Sequence, residues 1–271
     1  MERTLFLSDR DKNKKQDSAS IGYKKGVVEI RDADTGEVLF KGTNKVVIAG
    51  AAFTATKHFD IPRDEITPSY NDALGLENTV HEVPDPLDIE KCYLFSVGID
   101  GGGAEPSQVY PVKYAGWCAP EHLVPFRYQP ANQDLPESLR DSYFGRKVYD
   151  LQGRVAYYFK AFDSDPIKKQ QWVDGTPINS EIYESQKTDE VETFVELRLK
   201  ITKEDCREFF TCTTGINSAK INTISLLTAW PKEIDGHIYY QDIRPLTKLN
   251  FPLESLIDLT KSIEIIYHLY Y

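Results

Sequence analysis

One stretch limits the fold more than any other: Ser262-Ile-Glu-Ile-Ile-Tyr-His-Leu-Tyr-Tyr271. A chain end frays unless it is tied down, so a run of β-branched and aromatic residues with no polar tail after Tyr271 predicts a strand built into a sheet. Two further segments lead up to it, Ile221-Asn-Thr-Ile-Ser-Leu-Leu227 and Asn250-Phe-Pro-Leu-Glu-Ser-Leu256. A strand so late in the chain needs partners from earlier in it.

Those partners are legible. Val27-Val-Glu-Ile-Arg31 and Val38-Leu-Phe-Lys-Gly42 flank an Asp- and Gly-containing turn, Asp32 to Glu37, and predict a hairpin. Val191, Thr193, Val195, Leu197, Leu199 and Ile201 alternate with Glu192, Phe194, Glu196, Arg198 and Lys200, the pattern of an antiparallel strand with one buried and one wet face. Further strands are expected at Cys92 to Ile99, Arg154 to Phe162 and Ala219 to Ala229. Helical signal is scarce. Val47, Ala51, Ala55 and Phe59 recur at four-residue spacing, which predicts a short helix over 49–58 packed on the sheet through Phe53 and Phe59. Thr202 and Asp205 fit the N-cap and third helical position of a second short helix. The expected fold is mainly β: an antiparallel β-sandwich, jelly-roll-like, with one or two short helices and long loops.

At 271 residues the chain exceeds the common domain size but suits one elaborated sandwich, which buries about 75% of its unfolded surface without disulfide or metal support. The expected organisation is a mobile arm over 1–25 and a single domain over 26–271, with insertions at about 60–89 and 104–188. The first insertion carries Pro62, Pro68, Pro84 and Pro86 among many acids and reads as a long loop anchored by Leu74, Leu76 and Val80. In the second, prolines at 111, 120, 125, 130 and 136 alternate with aromatic residues, which predicts an ordered projecting segment.

The 42 acidic residues outnumber 32 basic ones, for a formal net charge of −10. That balance argues against a nucleic-acid groove, where Lys and Arg must replace phosphate counterions. The one basic cluster, Arg10, Lys12, Lys14, Lys15, Lys24 and Lys25, is interleaved with Asp9, Asp11 and Asp17 and reads as a solvated arm. Cys92, Cys118, Cys206 and Cys212 lack Cys-x-x-Cys spacing and read as reduced structural thiols. No early run suits a signal peptide and no stretch reaches the ~20 apolar residues of a membrane helix, so synthesis and folding in a cytoplasm, without a membrane partner, are expected.

Catalytic signatures are weak. Gly-Lys occurs nowhere, which removes a Walker loop, and neither Gly-x-Ser-x-Gly nor His-Glu-x-x-His is present. Gly98, Gly101, Gly102 and Gly103 are followed by Ala-Glu-Pro-Ser, which cannot open a pyrophosphate-binding helix. Cys118 precedes His122 by four residues, a thiolate arrangement only if Pro120 permits the geometry. His58, His81, His122, His237 and His268 are scattered singly. Asp163 with Asp165, and Asp174 before Gly175, resemble fragments of a calcium loop whose spacing is incomplete; both are turn signals first. No catalytic residue, cofactor, metal or small-molecule substrate is expected.

Five pieces in order carry a resemblance: Asn44 to Ala52, Phe95 to Gly103, Val124-Pro-Phe-Arg127, Lys220 to Leu227 and Asn250 to Tyr271. They are an Asn-Val-Val-type strand, a Gly-Ala-rich short helix, a strand ending in glycines, an apolar-Arg signature, Ile-Asn-x-Ile-x-Leu, and an apolar-Pro approach to a last strand. The chain resembles structural proteins of tailed-bacteriophage virions, the neck, collar, tail and baseplate components. The resemblance implies a non-enzymatic virion protein, made in the host bacterial cytoplasm and assembling in multiple copies around the head-to-tail axis with itself and neighbouring virion proteins. The loop at 60–89 and the aromatic-rich stretch around 130–190 depart from that pattern.

A ring or sleeve subunit uses its insertions to contact neighbours, so aromatics in proline-braced loops are the expected contact residues: Tyr110, Tyr114, Trp117, Phe126, Tyr128, Tyr143 and Phe144 in one segment, Trp172 and Tyr183 in the other. The alternative is that they fold back on their own sandwich. A receptor- or carbohydrate-binding module would need Trp117, Trp172 or Trp230 to form a solvent-facing platform; an enzyme, a glycoside hydrolase or a thiol-dependent one, would need polar groups converging on a pocket.

Overall fold

The computed structural model of the chain describes residues 25–59, 69–79, 90–103, 105, 107–113, 116–130, 133–148, 153–172, 191–215, 221–252 and 261–271. The protein is mainly β. The strands are β1 (Lys25–Asp32), β2 (Val38–Val46), β3 (Lys91–Gly98), β4 (Leu123–Val124), β5 (Arg127–Gln129), β6 (Tyr143–Val148), β7 (Val155–Ala161), β8 (Ile167–Trp172), β9 (Val191–Ile201), β10 (Thr223–Ile234), β11 (His237–Asn250) and β12 (Ile263–Tyr270). Four short helices accompany them: α1 (Ile48–Phe59), α2 (Tyr70–Leu74), α3 (Glu137–Arg140) and α4 (Arg207–Cys212). The arm expected at 1–25 lies outside the described residues apart from Lys25.

All described pairings are antiparallel, and the strands follow one path, β8-β9-β12-β1-β2-β11-β10-β3-β7-β5, with β6 also on β7 and β4 on β3. Val38 to Asn44 of β2 pair with β1, after which Lys45 and Val46 pair with β11. The sheet turns over at this hand-over, so its two halves face each other as a sandwich. Val28, Ile30, Leu197, Leu199, Ile263, Ile265, Tyr267 and Leu269 from one half share a core with Phe95, Val97, Ile224, Leu226, Leu246 and Leu249 from the other. Each such side chain contributes roughly 1.5–3 kcal/mol by leaving water.

Local chemistry explains the elements. The Asp32 carboxylate accepts from the backbone N–H of Asp34 and Thr35, both at 2.9 Å, and pairs with Lys261 at 2.9 Å. Gly36, with φ of +73°, closes the β1–β2 turn. In α1, Gly50 rests on β11 so closely that a Cβ would stand 2.1 Å from the Leu246 carbonyl oxygen. Phe53 packs against the core as expected, whereas the side chain of Phe59 lies outside the described residues. The five-residue α2 stands where the sequence predicts only loop; Ser69 caps its start and Gly75, at φ of +60°, its end. Its Tyr70 and Leu74 cover the outer face of β3, β7 and β10 together with Leu76, Cys118 and Leu123. Val80 lies outside the described residues.

Three expectations need correction. Alternation places Phe194 and Glu196 on the wet face of β9, yet both are buried: Phe194 packs on the rings of His268 and Tyr270 at 4.7 and 5.1 Å, and Glu196 receives Lys169, Arg198 and His268. Thr202 does not start a helix. Residues 203–206 form a turn and α4 begins at Arg207, although the Asp205 carboxylate does accept from the Thr202 N–H at 2.8 Å, as a capping-box residue would. The described part of the proline-rich middle segment is exposed around Val109 and Tyr110 but folds back beyond them; Phe126 and Tyr143 join the inner core and Tyr128 the outer one.

Because β12 lies between β1 and β9 over its full length, deleting Ile263 to Tyr271 should abolish soluble folding, measured as loss of soluble protein with a cooperative melt. The Lys261 partner and two backbone N–H groups hold the Asp32 carboxyl down to about 2, against 3.8 for the free group. The stability this adds is present above 3.8 and lost as pH falls through about 2. Asp32→Asn should therefore melt earlier than the wild type at neutral pH, with the difference in midpoint shrinking as pH is lowered across that window.

Candidate functional site

The long β10–β11 hairpin reaches beyond its neighbour β3, whose pairing stops at Ala229 with Lys91. Asp235 and Gly236, at φ of +53° and +80°, form the tight turn at its tip. Register shifts near Leu226 and between Thr228 and Trp230 bend the ribbon. Asn71 of α2 satisfies the bent strand's backbone, donating to the Tyr240 carbonyl at 2.9 Å and accepting from the Ile243 N–H at 2.8 Å. Tyr240 then meets Phe144 of β6 edge-on, with ring centroids 4.7 Å apart.

Between the distal part of this hairpin and β6 lies an open cleft, lined by Asn71, Leu76, Glu77, the α3–β6 segment, Tyr157 and His237 to Tyr240. Asp134 is its hub. It pairs with Arg140 of α3 at 3.3 Å, faces the Arg146 Nε of β6 at 3.6 Å and accepts from the Tyr157 hydroxyl. Arg146 also pairs with Glu77, and Arg140 donates to the His237 Nε2 at 3.2 Å. Burial first, then the nearby Asp134 carboxylate, pushes the Tyr157 hydroxyl up to about 12, so it stays a proton donor at neutral pH.

Beside the cleft, a second cluster is centred on the fully buried Asp205 carboxylate. Asp205 accepts from Tyr143 at 2.7 Å, from Lys160 at 2.9 Å and from the Thr202 N–H, with the Arg127 guanidinium at 3.3 Å. Lys160 also donates to the Lys200 carbonyl at 2.6 Å. These contacts tie β5, β6 and β7 of one half-sheet to the end of β9 in the other. Both oxygens of the carboxylate are engaged, and the cluster clamps the two half-sheets together.

Of the nine expected contact residues, Phe126, Tyr128 and Tyr143 are buried in the subunit's own cores. Trp117 stacks on Tyr70 at 4.1 Å and Phe144 packs on Tyr240, both half-buried. Tyr110 is 45% exposed. Tyr114, Tyr183 and the side chain of Trp172 lie outside the described residues, as does Asp174. Trp117 and Trp230 are each half-buried, on separate elements. Exposed with Tyr110 are Ile99 and Val109, presented by a small loop in which Val109 bridges Gly102 and the Tyr110 N–H donates to the Gly101 carbonyl. Sequence reasoning missed the cleft because its residues come from four separate stretches of chain.

The buried cysteines are held as thiols. Burial pushes Cys118 well up, Asp100 adding to it, and pushes Cys92 up to about 12, which keeps both protonated at neutral pH. Cys206 is buried and Cys212 exposed, and both are free. Among the described residues, no three His, Cys, Asp or Glu side chains are grouped to hold a metal, and no helix is long and apolar enough to cross a membrane.

Removing the carboxylate from the clamp leaves Lys160 and Arg127 buried without their counter-charge. Asp205→Ala should lower the free energy of unfolding by about 3–5 kcal/mol, read from the midpoint of a urea titration.

Compared with protein-family models, with curated proteins and with solved structures, the chain matches none of them.

Proposed function

We propose that the chain is a structural protein of a tailed-bacteriophage virion, present in multiple copies around the head-to-tail axis and acting through protein–protein contacts. Convergence of the five resemblance-bearing segments is the observation that carries the reading. Gly98 and Gly101 hold Asn222, whose N–H donates to the Gly98 carbonyl and whose side chain accepts from the Gly101 N–H at 2.8 Å. Phe251 donates to the Asn222 carbonyl, and Thr223 reaches Asn250 at 3.2 Å. Phe126 meets Phe95 edge-on, α1 lies on β11 through Gly50, and β12 completes the first half-sheet. The five segments thus make one scaffold.

The same knot stiffens the exposed loop bearing Ile99, Val109 and Tyr110, since Asn250 donates to the Tyr110 carbonyl at 3.0 Å and Lys248 pairs with Asp100 at 2.7 Å. A rigid apolar ridge loses little entropy on docking, and rings arise when one patch meets a different patch on the next copy.

Mass spectrometry of purified particles should find the chain, with cross-links falling at this loop; absence from the particle overturns the reading. Tyr110→Ala, at a surface position, should change the melting temperature by no more than about 2 °C while reducing incorporation into particles several-fold.

A further inference from the structure

We infer that the cleft between β6 and the distal β10–β11 hairpin binds an uncharged, hydroxyl-rich ring ligand, a saccharide. The inference does not rest on the particle reading. The site is built rather than incidental: Asn71 pins one wall through two backbone groups, Tyr240 on Phe144 braces it, and Asp134 holds Arg140, Arg146 and Tyr157 around the floor.

Charge selects the ligand class. Arg140 and Arg146 already face carboxylates of Asp134 and Glu77, and Asp141 adds another acid to the lining. An anion entering here meets carboxylates, and a cation meets guanidinium groups, so neither gains. Neighbouring hydroxyls, which both donate and accept, can bond to a carboxylate and a guanidinium at once. The floor offers both kinds of partner, the carboxylates of Asp134 and Glu77 and the guanidinium groups of Arg140 and Arg146. The hairpin wall supplies the other half of sugar recognition, with Tyr239 and Tyr240 beside Ile238, which is 52% exposed. An apolar wall beside a polar floor suits a pyranose, which carries both C–H and O–H groups.

The test is saturation-transfer NMR on the full chain with glucose, galactose, rhamnose and N-acetylglucosamine, and with oligomers of each. N-acetylneuraminic acid, inorganic phosphate and an unrelated Tyr-containing peptide serve as controls. At least one neutral sugar should receive saturation, and its affinity should fall at least tenfold in Arg140→Ala and in Tyr239→Ala with melting temperatures retained. Should Arg140→Ala fail to fold, Tyr239→Ala and Ile238→Asp at the open mouth decide. No transfer to any neutral sugar, transfer that survives these substitutions, or tighter binding of the acidic sugar, phosphate or peptide overturns the inference.

Discussion

Everything in this molecule depends on how β2 divides its backbone hydrogen bonds. Six of its first seven residues pair with β1, Leu39 bulging out, and its last two serve β11, so a single strand belongs to both halves of the sandwich. Without that hand-over there would be two half-sheets, each with an additional open edge and an uncovered apolar face. With it, the inner faces meet, and the outer face of β3, β7 and β10 is left to be covered by α2 and Trp117. Close contact of Gly50 with β11 follows directly, because α1 leaves β2 at the point where the sheet turns.

Away from that strand, the two halves are fastened by a charge cluster together with single backbone bonds, from the Cys206 N–H to the Phe126 carbonyl and from the Asp163 N–H to the Arg198 carbonyl. Asp205 faces two cations and a tyrosine hydroxyl. A buried ion cluster of this kind is weak as a source of net stability but unforgiving of partial loss. It fixes one relative placement of β7 against the end of β9, and through Tyr143 it also sets the start of β6. The floor of the cleft therefore inherits its rigidity from a group that does not line it.

Legibility in the sequence follows the range of the interaction. The β1–β2 hairpin, α1 and the β12 strand are readable because their signals are local: an Asp and Gly turn, a four-residue spacing, an alternation. Asp205 stands out in the sequence only through Thr202, three residues away, whereas its partners Lys160 and Tyr143 stand 45 and 62 residues away and leave no local trace. Phe194 and Glu196 look solvent-facing because alternation reports which face a side chain takes, not what covers that face. Prolines spaced among aromatics have the same appearance whether a segment projects or folds back. Phe126, Tyr128 and Tyr143 go inward because β7 offers pairing to both β5 and β6.

The position of β12 has a consequence for synthesis. While the chain emerges from a ribosome, β1 can pair with β2 within a few residues, but its other edge has no partner until residues 263–270 have been made. The edge of β9 that faces β12 must wait in the same way. Most of the chain is thus translated with an adhesive strand edge unprotected, a state open to pairing with other nascent copies. The second half-sheet, from β3 to β11, does not depend on β12 for its pairing. The aliphatic-aromatic strand, made after every other strand described, thus arrives as the closing stave.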